Sequence, residues 1–203
     1  GNITYPSSVR DPVATIMAIV KLLAIRDGKN ADGSLRKGLF HIWCEKSGQE
    51  FRYKDDFTLS DVIDSLPAYT TTGVSEDRAI LHVKTEDKGK LKEAFKGIFE
   101  QEWETHKEEM QAIYGIYGYK AIFTNGIEEK EAGESWNNGT GGLKILFTDE
   151  NSAVIGFIWM RPSGTENVFR VMCDIKGSED SAERSLVRWE NSMLKKADEI
   201  ASK

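Results

Sequence analysis

The sequence predicts an α+β fold in which an antiparallel sheet is covered by two long helices. Three observations carry this reading. Alternating apolar runs cluster between residues 119 and 175 and are separated by short turns, which favours antiparallel pairing. A helix-period apolar stripe precedes the cluster at Leu91, Phe95, Ile98, Phe99 and Trp103, and another follows it, so both helices can cover one sheet face. The 203 residues are 39% hydrophobic and 30% charged, which suits a soluble globular protein with an adequate core.

The elements follow in order. Asp11 is a good N-cap and Pro12 a good first helical residue; Ile16, Ile19, Val20 and Leu23 recur at helical spacing, and Gly28 is expected as the C-cap. Residues 27–38 read as a polar loop with turns at Asp27-Gly28 and Asp32-Gly33. The runs 39–44 and 50–53 flank Ser47-Gly48 and read as a short hairpin. Thr58 and Asp61 form a capping box opening a short helix to Leu66. Pro67 to Gly73, with three threonines, reads as a linker. The expected organisation is therefore 1–67, a linker over 68–76, and a second domain over 77–203.

In that second domain, residues 78–84 alternate as a strand, and Asp87 caps the first long helix. Residues 119–124 form a strand. An acidic, glycine-containing loop follows (Glu128, Glu129, Glu131, Gly133, Glu134), then a turn-rich connection from Trp136 to Gly142. Residues 143–148 and 153–160 pair through Asp149, Glu150 and Asn151, and residues 168–175 form the last strand. The final helix starts near Glu179 with Ala182, Leu186, Trp189, Met193 and Ile200 on one face.

Composition excludes several functions. A net charge of −6 argues against nucleic-acid binding, which needs clustered Lys and Arg. No apolar run approaches the ~18 residues of a membrane helix, and no leader or lipidation motif is visible, so a cytoplasmic protein without a membrane partner is expected. Cys44 and Cys173 read as free and buried, and His41, His82 and His106 lack metal-ligand spacing. Gly1 in place of methionine fits either a cloning scar or a piece of a longer chain.

The densest chemistry lies at Arg161-Pro162-Ser163-Gly164-Thr165-Glu166, between two strands. Arginine matches phosphate oxygens with two parallel donors. Ser163 and Thr165 each offer a hydroxyl, and Gly164 is expected to take a positive φ so that the backbone can approach a ligand. Successive amides in such a turn can cradle an anion. The other reading is an ordinary hairpin turn beside a surface arginine, and residue chemistry leaves both open. No nucleophile motif surrounds Ser163, which would bind rather than attack. Three charge-assisted hydrogen bonds give roughly 5–9 kcal/mol gross, against about 4 kcal/mol or more for association. Millimolar binding follows, so the loop suits one wall of a pocket.

This hexapeptide, followed by Phe169-Arg170-Val171, resembles the C-terminal domain of the α-D-phosphohexomutases, the phosphoglucomutase and phosphomannomutase enzymes. The match to the family's phosphate-binding loop is letter for letter. Residues 59–69 are similar to the segment joining the family's third and fourth domains, and 11–24 to the helix ending the third. The resemblance implies a TATA-box-binding-protein-like domain 4 over 77–203, preceded by a remnant of an α/β domain 3 over 1–67. It assigns phosphate binding to Arg161, Ser163, Gly164, Thr165 and Arg170. It implies an intramolecular phosphotransferase that interconverts hexose 6-phosphate and hexose 1-phosphate, with Mg²⁺ and a hexose 1,6-bisphosphate intermediate.

Asn167-Val168 stands where many members have Pro-Lys, Met172-Cys173-Asp174 departs from their usual residues, and 28–57 has no family counterpart. The family's phosphoserine, Asp-rich metal and Gly-Glu-x-Ser-Gly sugar motifs do not occur in this chain, so no catalytic or metal-binding residue is expected in it. The expectation is a C-terminal piece of a four-domain enzyme, inactive alone, whose partners are a phosphosugar and the enzyme's other domains. A non-catalytic phosphate- or phosphosugar-binding module is the alternative. A protein-interaction domain would rest on Trp43, Trp103, Trp136 and Trp189, of which Trp103 and Trp189 lie on helix stripes as core residues do.

Overall fold

A computed structural model of the chain describes residues 12–73 and 75–203; Gly1 and the expected N-cap Asp11 lie outside the described residues. The described residues fall into two compact units, one ending at Pro67 and the other running from Ala68 to Lys203.

In the first unit, helix α1 (Pro12–Ala24) stops before Gly28. Gly28 is not its C-cap. It pairs in a two-residue ribbon, β1 (Gly28–Lys29) with β2 (Leu35–Arg36), inside the stretch expected to be loop. The hairpin expected over 39–53 is also corrected: it is helix α2 (Leu39–Lys46) followed by a 3-10 turn at Glu50–Arg52. Phe40 and Cys44, four residues apart, are both 0% exposed and share a small core with Phe57 and Val62, so burial selects the helical period over the strand period. Ser47-Gly48 ends this helix instead of turning a hairpin. Gly48 takes φ 68°. Its N–H donates to Glu45 O at 3.2 Å and the Gln49 N–H to Cys44 O at 2.7 Å, the paired bonds of a Schellman end. The capping box forms as expected: the Thr58 N–H donates to the Asp61 carboxylate at 2.7 Å and opens helix α3 (Leu59–Asp64).

The second unit holds a seven-stranded sheet. Its first strand, β3 (Tyr69–Thr71), lies in the stretch expected to be linker. It pairs along β9 (Val168–Lys176), and Thr72 ties the end down: its N–H donates to Cys173 O at 2.9 Å and its hydroxyl to the Glu183 carboxylate. Threonine suits such an edge because its β-branched side chain fits the pleat and its hydroxyl finds a partner. The strand expected over 78–84 shrinks to β4 (Ile80–His82) after a 3-10 turn at Asp77–Ala79, and it pairs with the start of β9.

Helix α4 (Lys88–Tyr114) is capped by Asp87, whose carboxylate accepts from Gly89 N and Lys90 N, each at 3.0 Å. Strands β5 (Gly118–Asn125), β6 (Glu128–Glu131), β7 (Gly142–Thr148) and β8 (Val154–Pro162) follow, then β9 and helix α5 (Asp180–Ala201). The sheet order is β3-β9-β8-β7-β5-β6 with β4 also on β9, and every described pairing is antiparallel.

The acidic loop expected at Glu128–Glu131 is strand β6. All four of its side chains are exposed, so no alternation marks it, and the backbone ladder to β5 makes it a strand. Charges along an outer strand also discourage pairing with another chain.

Both long helices cover one sheet face, as expected. Leu91, Phe95, Phe99 and Trp103 of α4 and Leu186, Met193 and Leu194 of α5 share one core with Ile145, Ile158, Val171 and Cys173 of the sheet. Ile200 does not join them and is 56% exposed; the inward stripe runs through Met193 and Ala197 at four-residue steps. Trp103 and Trp136 are buried in this core, and Trp189 packs against it. Trp43 packs on the first unit's core with its Nε1–H on Ser65 Oγ at 2.9 Å.

The turn-rich connection before β7 is pinned from α4. Lys92 is 0% exposed, and its ammonium donates to the carbonyls of Asn138 at 2.7 Å, Thr140 at 3.0 Å and Gly141 at 3.0 Å. The Glu93 carboxylate accepts from Trp136 N at 2.6 Å. Gly142 then starts β7 where a Cβ would sit 2.4 Å from Trp159 Nε1. That indole lies across the strand to donate to Thr124 Oγ1 at 3.0 Å. No described helix is long and apolar enough to cross a membrane.

Candidate anion-binding site

Strand alternation places the arginines. On β9, Phe169, Val171, Cys173 and Ile175 belong to the core under the helices, so Arg170 projects from the opposite face. On β8, Ile158 and Met160 belong to that core, so Arg161 projects from the same face as Arg170. The register makes Arg161 and Arg170 direct cross-strand partners, one residue and two residues respectively from the loop that joins their strands. Both are exposed. Like charges directly opposite destabilise a sheet pair. A guanidinium carries a fork of donors of the kind that meets anions.

The loop itself is short. The Ser163 N–H donates to Val168 O at 2.9 Å and closes it. The Thr165 N–H points at Ser163 Oγ at 3.4 Å, and the two hydroxyl oxygens lie 3.5 Å apart. The structure thus groups Arg161, Ser163, Gly164, Thr165 and Arg170 at one end of the β8–β9 hairpin. It differs from expectation at Gly164, which does not take a positive φ. A Cβ added there would meet nothing within 4 Å. The loop closes through the Ser163 amide without needing left-handed backbone, so neither conformation nor protein packing requires glycine here.

Gly164, Thr165, Glu166 and Asn167 are exposed, and the loop lies on open surface. A cavity of about 370 Å³ lies elsewhere, between Phe123, Thr124 and Asn125 on one side and Asn137, Asn138 and Thr140 on the other. Among the described residues no three His, Cys, Asp or Glu side chains group as metal ligands.

Sequence reading missed the loop's anchor. Asn167, its last residue, is held from the segment before α4. Its carbonyl accepts from Val83 N at 3.0 Å, and its side-chain oxygen accepts from Lys88 Nζ at 3.0 Å. That segment is itself fixed by Asp198 of α5, whose carboxylate accepts from Lys84 N at 2.9 Å and Thr85 N at 2.8 Å. Burial pushes the Asp198 carboxyl up, but these amides and the Thr85 hydroxyl outweigh it and hold the group below the usual carboxylate range. One signal was available: Lys88, Lys90 and Lys92 crowd the start of α4, the end where the helix dipole disfavours cations. Lys88 and Lys92 are both committed to backbone carbonyls, which offsets that penalty.

A scan against models of known protein families and a search of curated proteins both return no match to this chain.

Proposed function

We propose that this chain is the phosphate-binding C-terminal part of a phosphohexomutase, with the unit from Ala68 in the role of the family's TATA-box-binding-protein-like domain 4 and the residues before it as a remnant of domain 3. The supporting observation is the pairing of Arg161 with Arg170 beside the Ser163–Thr165 hydroxyls, at the end of a sheet whose other face carries two helices. In this reading the loop holds whichever phosphate of the hexose 1,6-bisphosphate is not reacting. Binding at that remote group orients the reacting end, which lowers the barrier without any chemistry at the loop. Phosphoryl transfer, the phosphoserine and Mg²⁺ belong to the longer enzyme, and the present residues alone do not turn over hexose phosphates. The cytoplasm is its expected compartment.

The test is titration of the chain with glucose 6-phosphate, followed through the amide resonances of residues 161–170. Saturable millimolar shifts centred on Ser163 to Thr165 in the wild type, lost in Arg161→Ala, are expected. No shift at these amides, or equal shifts in Arg161→Ala, would remove the assignment.

A further inference from the structure

Resting on that reading, we infer that Lys88 is a positioning residue for the phosphate loop and acts through the side chain of Asn167. Lys88 opens α4, far from the loop in sequence, and no motif connects the two. Yet its ammonium bridges two separate segments: it donates to Thr85 O at 2.8 Å and to Asn167 Oδ1 at 3.0 Å. It also lies 5.9 Å from the ring centre of Phe169, the residue preceding Arg170. Asn167 is thereby held at two points, by Val83 N on its carbonyl and by Lys88 on its side chain. The next residue, Val168, supplies the carbonyl that closes the loop on Ser163. A displacement of Asn167 is therefore transmitted to both ends of the five residues that carry the hydroxyls and amides.

The other end of the tether is itself hydrogen-bonded to other elements. Lys84 and Thr85 are fixed by Asp198, and Asp87 caps the helix that Lys88 begins. The loop thus leans on this segment through the Lys88 ammonium as well as through the Val83 amide. A backbone free to shift loses aim, and a small misplacement of binding groups is costly because the donors must meet the anion together. Asparagine at 167 is what makes the tether possible, since an apolar residue or a proline offers no side-chain acceptor.

The experiment titrates the chain with inorganic phosphate by amide shifts, in the wild type, Lys88→Met, Asn167→Leu, the double variant, Lys88→Arg and Arg161→Ala. Lys88→Met and Asn167→Leu are each expected to weaken phosphate by about three- to tenfold, the range of a partly exposed charged hydrogen bond. The double variant is expected to lose no more than either single one, because both cut the same tether. Lys88→Arg, which keeps a cationic donor, is expected to recover most of the affinity, and thermal midpoints separate these effects from unfolding. If Asn167→Leu binds as the wild type while Lys88→Met does not, Lys88 acts on the anion by its charge and the positioning role is overturned. Wild-type affinity in Lys88→Met overturns it also, while loss in Arg161→Ala leaves the phosphate site standing. A wild-type chain that binds no phosphate removes the site and the tether's role together.

Discussion

Arg161 and Arg170 face each other across β8 and β9 as register partners on the sheet face away from the helices. The pair has opposite consequences with and without a ligand. In the free chain, two like charges directly opposite are mildly unfavourable. Arg161→Ala is therefore expected to leave the thermal midpoint of the free chain unchanged or slightly raised. In the wild type, phosphate at about ten times its Kd adds about 1.4 kcal/mol of stability, and the variant is expected to lose that gain. On the proposed reading, the same change in the longer mutase should lower kcat/KM, by a factor equivalent to about 2–5 kcal/mol where the bound phosphate and Arg161 are desolvated together. A variant that is clearly destabilised without ligand, yet still stabilised by phosphate, would show that Arg161 serves the fold.

Gly164 separates a requirement of the fold from a requirement of the ligand. Its backbone is not left-handed and a Cβ would have open space. Gly164→Ala should fold as well as the wild type, or gain about 0.4–1 kcal/mol by restricting the unfolded chain. Phosphate affinity is expected to fall at least about tenfold, since a methyl group would crowd an anion held against the Gly164 backbone. Calorimetry and a phosphate titration on one variant measure both. Unchanged affinity would place the anion away from the loop backbone.

What the sequence could reveal depended on where each interaction is encoded. The long helices and β5, β7, β8 and β9 were legible because burial on one face writes a period into consecutive residues. Leu39–Cys44 was misread because a short apolar run fits both periods, and only the shared core of Phe40 and Cys44 decides between them. Strand β6 carries no period at all: four exposed charged side chains are held by backbone pairing alone. The hexapeptide stood out as a candidate site because its chemistry is contiguous. Its anchor was not, because Lys88 and Asn167 lie 79 residues apart and meet only once β4 pairs with β9. Gly164 shows the converse limit, since a glycine's presence does not reveal whether conformation, packing or a ligand demands it.

Glu190 of α5 is 0% exposed, and neither carboxylate oxygen has a hydrogen-bond partner among the described residues. Burial pushes its pKa well above the usual carboxylate range. The folded state then holds a proton that the unfolded state has released, so this group's contribution to stability falls as pH rises above the unfolded carboxylate value. Glu190→Met removes the titration and the unsatisfied oxygens while keeping an apolar volume. It is expected to stabilise the chain by about 1–3 kcal/mol at neutral pH, and by less at pH 5. Urea denaturation at the two pH values tests this. A destabilised variant at both would mean that the carboxyl makes a bond worth keeping.

Lys92 shows the same linkage with the opposite sign. Burial alone pushes its ammonium down to about 8, while three carbonyls of the 138–141 turn hold the charged form. A base whose folded pKa is depressed gives up its proton first in the folded state. Between pH 8 and the unfolded lysine value the unfolded chain therefore binds more protons, and stability rises with pH. The full rise is on the order of 3 kcal/mol at 1.36 kcal/mol per pKa unit. Other groups titrate in the same window, so the clean quantity is the difference between wild type and Lys92→Met. That difference is expected to move in favour of the wild type from pH 7.5 to pH 9.5 in urea denaturation. At pH 7.5 the variant should also lose protection of the Asn138 to Gly141 amides from hydrogen exchange, because the turn's carbonyls lose their common donor. A stability difference that stays flat with pH would mean that the three carbonyl bonds fully compensate burial, with Lys92 titrating as it does in the unfolded chain.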